Sequence, residues 1–173
     1  MELAIRNKWI SLRGSSVVKD LNENDVMKVQ GKFWTFTRKK FVQRLDGVTK
    51  YIVRNKFWKL FVYRAFIIDP ETKETICTVR RKFWSLHDHY DIPSPYGDIE
   101  IRGNILCFNY SIKLNGKEVG HVARKVSLRD SFVLTIDDDL DIYFFVALVI
   151  AIDNITDERR TNTSSTYYSS NEY

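Results

Sequence analysis

Apolar and polar residues alternate with a period of two along most of this chain. Leu3 and Ile5, Met27 and Val29, Tyr51 and Val53, Cys77 and Val79, and Ile99 and Ile101 form one series; Arg6, Lys28, Gln30, Arg54, Arg80 and Arg102 occupy the other. Side chains on a strand point alternately to its two faces, so the pattern predicts strands with one buried apolar face and one basic or polar face. One stretch departs from it. Ile142 to Ile152 is apolar or aromatic at every position, and Asp137, Asp138, Asp139 and Asp141 precede it. Aspartate accepts from the free N–H groups of a helix start and complements the positive end of its dipole, which predicts a helix over about 138–153. A helix that is apolar all round must be buried all round, and this one is well short of the ~20 apolar residues a bilayer span requires.

The strand pattern recurs with a fixed vocabulary. Asn7-Lys-Trp-Ile-Ser-Leu, Gly31-Lys-Phe-Trp-Thr-Phe, Asn55-Lys-Phe-Trp-Lys-Leu and Arg81-Lys-Phe-Trp-Ser-Leu place their anchors at Lys8, Lys32, Lys56 and Lys82, spaced by 24, 24 and 26 residues. Weaker copies begin at Gly103 and Arg124. Such a period marks a repeated supersecondary unit. After each anchor comes a β-rich run, then turn chemistry such as Asp46-Gly47 or Asn115-Gly116, then a return run. Asp-Gly and Asn-Gly favour tight hairpins because both positions tolerate positive φ. Six such units predict about twelve strands, mainly β, nearly all antiparallel neighbours. Twelve strands closing on themselves enclose a lumen that must be filled. The economical architecture is a closed antiparallel barrel over residues 1–155 threaded by the C-terminal helix, with a polar, disordered tail over 156–173. Counted from the anchors, Phe83 points into the core and Lys82 into solvent.

Composition sharpens the picture in one respect. Residues 1–136 hold 25 Lys/Arg against 14 Asp/Glu, whereas residues 137–173 hold 2 against 8. A basic body favours anionic partners. Three runs stand out: Arg38, Lys39 and Lys40; Arg80, Arg81 and Lys82; Arg124 and Lys125. On the outer strand face they are the candidate ligand-binding residues. Anionic phospholipid or a membrane surface is the leading partner, nucleic acid a weaker one, and a protein scaffold without small ligand a third reading. The start of the chain lacks the apolar core and small-residue cleavage site of a secretory signal, so the expected location is cytoplasmic, peripheral at a membrane where it binds one. Cys77 and Cys107 are then expected as buried thiols rather than a disulfide.

No catalytic constellation emerges, and neither cofactor nor metal is expected. His87 and His89 lie two apart on one strand face, the spacing a metal pair needs, but no third ligand follows from spacing. The aspartate cluster lacks the glycine and terminal glutamate of a calcium loop and reads as helix capping. Neither cysteine has a motif partner, and no glycine-rich phosphate loop is present.

The repeated Lys-Phe-Trp phrases, the return strands Tyr51-Ile-Val-Arg and Ile76-Cys-Thr-Val-Arg, the stretch from Asn115 to Lys125 and the terminal Val146-to-Asn154 run together resemble the LURP-one-related family. The resemblance covers roughly residues 3–155. That family stands with the tubby C-terminal-like proteins and the phospholipid scramblases. The resemblance implies a twelve-stranded barrel around a central hydrophobic helix and assigns no activity. Tubby-like relatives bind phosphoinositide headgroups through basic side chains, but no motif carries those positions onto this chain. The Cys-rich and Pro-rich segments and calcium site of scramblases have no counterpart in two Cys and three Pro.

Overall fold

The computed structural model describes residues 1–6, 15–31, 39–56, 64–80, 89–124 and 131–169. Twelve strands run in order: β1 Glu2–Arg6, β2 Ser15–Asp20, β3 Asp25–Gly31, β4 Lys40–Gln43, β5 Thr49–Asn55, β6 Arg64–Ile68, β7 Thr75–Arg80, β8 His89–Ser94, β9 Gly97–Asn104, β10 Asn109–Leu114, β11 Lys117–Arg124 and β12 Ser131–Ile136. A helix, α1, follows over Ile142–Ser169. The strands form one antiparallel sheet in the order β7-β6-β5-β4-β3-β2-β1-β12-β11-β10-β9-β8. The first and last strands meet where β1 pairs with β12, from Glu2 opposite Thr135 to Arg6 opposite Ser131. The sheet therefore curls into a nearly closed barrel whose seam lies between β7 and β8. No ladder joins those two strands among the described residues. Pro93, exposed on β8, suits an edge because it has no N–H to donate.

The repeat is visible in the ladder itself. Register shifts fall between Val18 and Lys19, Val42 and Gln43, Ile67 and Ile68, and Ile112 and Lys113, each near the turn end of its hairpin. A bulge adds local twist, and the same bulge repeated around a sheet helps curl it into a barrel. Asn115 and Gly116 have φ of 50° and 83°, the primed turn their sequence calls for. Asp46-Gly47 instead sits within a longer connection. There Gly47 alone takes positive φ, and Asp46 Oδ1 accepts from the Val48 N–H at 3.1 Å.

The inward series is the expected one. Leu3, Ile5, Met27, Val29, Val53, Cys77, Val79, Ile99, Ile101, Ile105 and Val122 are all buried around α1. Phe144 to Ile152 and Ile155 are at most 1% exposed, so the helix fills the lumen. It begins at Ile142, later than composition places it, because Asp141 is the cap. Asp141 Oδ1 accepts from the N–H groups of Tyr143 and Phe144 at 3.0 and 3.2 Å. Its Oδ2 accepts from the hydroxyls of Tyr51 on β5 and Tyr96 in the β8–β9 turn at 2.7 and 2.9 Å. The Phe144 ring packs against both tyrosines. Burial, with the Asp141 carboxylate alongside, drives the Tyr51 hydroxyl well above the usual tyrosine range. The cap therefore ties strands from both sides of the seam to one point. Asp141→Ala is expected to cost about 2 kcal/mol, from the lost cap and the hydroxyl bonds. Urea unfolding would measure it, and Asp141→Asn should restore part of the loss because asparagine still caps.

The helix backbone continues to Ser169, past residue 155 where composition ends the domain. Phe83 and Lys82, whose facing the register predicts, lie outside the described residues. The weaker copy at Gly103 is described: it closes β9 to β10 through a short 3-10 turn. Ile105 and Phe108 there point inward, with Phe108 stacked on Phe132 at 4.7 Å.

Candidate functional site

The two ends of the barrel differ in charge. In a meander, connections alternate between ends. One end carries the segments 21–24, 44–48, 69–74, 95–96, 115–116 and 137–141, with nine Asp/Glu and two Lys/Arg. Helix α1 enters there, its positive dipole end facing the acidic groups. At the opposite end the described strand ends carry Lys39, Lys56, Arg64, Arg80 and Arg124. The sequence segments 7–14, 32–39, 56–63, 81–88, 105–108 and 125–130, most of which lie outside the described residues, hold eleven Lys/Arg and two Asp/Glu.

The basic runs divide on this frame. Arg38, Arg81, Lys82 and Lys125 lie outside the described residues. Lys39 is half-buried, with its ammonium 5.2 Å from the Phe41 ring centroid. Arg80 and Arg124 are exposed at the last positions of β7 and β11, at the basic end but on different sides of the barrel. Lys40 departs from expectation. It is not on the outer face; it is 4% exposed and points inward, where its Nζ donates to Asn154 Oδ1 at 3.0 Å. Neighbouring residues on a strand face opposite ways, so a run of three basic residues cannot all lie outside.

Lys40 belongs to a polar layer that closes the apolar lumen at the basic end. Asn55, Asp153, Asn154 and Thr156 are buried with it. Asn55 Nδ2 donates to the Asn154 carbonyl at 3.4 Å. Across the barrel, burial pushes the Tyr110 hydroxyl well above its usual range, and the Asp153 carboxylate adds to the effect. These groups are sealed inside the wall.

The outer wall holds a cluster that residue counting missed. Lys56 N–H donates to the Arg64 carbonyl at 2.9 Å, which sets Lys56 beside Arg64, and Arg64 lies opposite Arg80. Arg54 stands opposite Phe66 in the next row, with its guanidinium 5.7 Å from that ring. Three strands thus bring four cations together at the basic end. Beside Arg80 a cleft of about 440 Å³ follows the seam, lined by Thr75, Ile76, Cys77, Thr78, Arg80, Asp91 and Pro93. Burial pushes the Cys77 thiol up to about 12, which keeps it protonated and unreactive at neutral pH. Cys107 was expected to be buried; it is exposed on the short 3-10 turn, and both cysteines are free. His87 lies outside the described residues, and no group of three metal-ligating side chains occurs among the described ones. No described helix is long and apolar enough to cross a membrane.

A sequential antiparallel meander wrapped round its own C-terminal helix, with a cationic cluster at one end, defines a helix-filled β-barrel class. The sequence pattern of the LURP-one-related family matches residues 1–153, and the chain belongs to that family. Its fold is also similar to a crystal structure of a protein from Arabidopsis thaliana, with a TM-score of 0.61 over 89% of this chain and 90% of that one, at 18% identity. No curated protein sequence matches it.

Proposed function

We propose that this barrel is a non-catalytic binding protein that docks on an anionic lipid surface through its basic end. The segregation of charge along the barrel axis carries the reading. An anionic surface rewards each adjacent Lys or Arg by about 1 kcal/mol, while the acidic end is repelled, so the field orients the barrel as well as attracting it. Lys39, Lys56, Arg64, Arg80 and Arg124 supply the described part of that end.

Flotation of the full chain with vesicles of phosphatidylcholine, with and without phosphatidylserine, tests the reading. Binding should require phosphatidylserine and weaken as salt shortens the Debye length from about 30 Å at 0.01 M to about 8 Å at 0.15 M. Absence of flotation at low salt would sink it. Salt-sensitive retention of duplex DNA without vesicle binding would assign the basic end to nucleic acid instead.

A further inference from the structure

We propose that Lys56, Arg64 and Arg80 form a discrete receptor for a compact anion with two or more charges, of the phosphate monoester or polyphosphate class. The inference deepens the membrane reading and rests on it only for the source of the anion, a lipid headgroup rather than a free phosphate.

Strand register carries the argument. The pairings of β5 with β6 and of β6 with β7 set the three residues side by side at one level of the outer wall. Directly opposed residues on antiparallel strands have Cβ atoms about 5 Å apart, so the three side chains spring from points within about 10 Å of one another and can converge on one ligand. Arg54 adds a fourth in the adjoining row. None of the four has an ion-pair partner among the described residues. Some other cations of the outer surface do, Lys19 with Glu23 and Asp25, Arg44 with Asp46, and Arg102 with Glu100, while the scattered Lys50, Lys113 and Arg124 also have none among the described residues. Like charges set directly opposite each other destabilise a sheet. A single acidic residue in the row would relieve that repulsion, and the sequence supplies none there. Groups kept at a cost to stability are typical of binding sites.

The chemistry of the row selects the ligand class. Two guanidinium groups present planar forks that match phosphate oxygens in pairs, and the ammonium adds a point charge. One carboxylate would neutralise only one of the three cations, whereas a phosphate group with two or more charges matches their density. Asp91 faces the neighbouring cleft from β8, which places the anion on the β5–β7 side of Arg80.

The test uses Arg64→Gln and Arg80→Gln in the full chain, with Arg102→Gln as the control. Calorimetric titration with tripolyphosphate should show binding by the parent and by Arg102→Gln, and a loss of about tenfold or more in each row variant. Without ligand at low salt, both row variants should melt at or above the parent temperature, because repulsion has been relieved. Flotation with phosphatidic acid vesicles distinguishes the sources. Row-dependent flotation, competed by tripolyphosphate, identifies a lipid headgroup. Row-dependent titration without flotation identifies a soluble phosphate, so that the site stands while the membrane reading falls. Flotation of parent and variants alike leaves the membrane reading and removes the site. The proposal is overturned if neither probe binds, if the row variants bind like the parent, or if they melt well below it.

Discussion

Leu148→Asp is expected to leave no folded barrel. Leu148 is fully buried within the stretch of α1, Phe144 to Thr156, that is buried on every side. Losing the leucine packing costs about 2–5 kcal/mol. Placing a carboxylate in that apolar lumen costs several kcal/mol more, since no described residue stands ready to pair with it. Together these terms take most or all of the ~5–15 kcal/mol by which a domain of this size is stable. Deleting residues 142–155 should have the same result by a different route. Twelve inward faces would lose their partner, and each large side chain of the helix carries about 1.5–3 kcal/mol of gross burial. Near-UV circular dichroism and urea titration would read both variants, and Ile150→Val, expected to cost about 1 kcal/mol, calibrates the scale. A helix-less chain that stayed monomeric and melted cooperatively would show that the lumen is not the core.

The register of this barrel is legible in sequence because a strand facing a dry interior cannot slip by one residue without exposing its whole apolar set. Leu3, Met27, Val53, Cys77, Ile101 and Val122 are therefore where parity puts them. The helix is legible for a related reason: a run with no polar face has only the interior to go to. The cationic row is not legible in the same way. Lys56, Arg64 and Arg80 belong to three strands, and only the pairing of those strands brings them together. Parity marks Arg80 as outward and the repeat marks Lys56 as an anchor, but nothing in their spacing along the chain marks Arg64 or joins the three. Conversely, the run Arg38, Lys39, Lys40 looks like one patch because it is contiguous, and contiguity in a strand divides a run between two faces. A signal did exist. Val42 shares a face with Lys40, and placing Val42 in the core would have carried Lys40 inside as well. The Lys-Phe-Trp phrases, read as strand continuations, begin where the described parts of β3, β5 and β7 stop, and apart from Lys56 they lie outside the described residues.

Lys40 supplies the second large effect, because it separates stability from binding. Lys40→Ala is expected to cost about 3 kcal/mol or more and to leave tripolyphosphate binding unchanged. The ammonium is held inside the wall by Asn154 Oδ1, and a hydrogen bond to a charged group contributes about 1.5–3 kcal/mol. Removing it strips a donor from a layer in which Asn55 Oδ1 and Asn154 Nδ2 already have no hydrogen-bond partner. A buried polar atom left without a partner costs a further 1–3 kcal/mol, roughly. The alkyl stem is buried as well, so alanine also leaves a void, and Lys40→Met, which keeps most of the stem, should recover part of the loss. Arg80→Gln, on the outer wall, should show the reverse behaviour: stability kept, anion lost. Urea unfolding and calorimetric titration on the same three variants give the comparison directly. If Lys40→Ala instead kept its stability and lost the anion, the ammonium would have to reach the outside. The inward facing of β4 at that position would then be wrong, and with it the division between a sealed polar layer and an open cationic row.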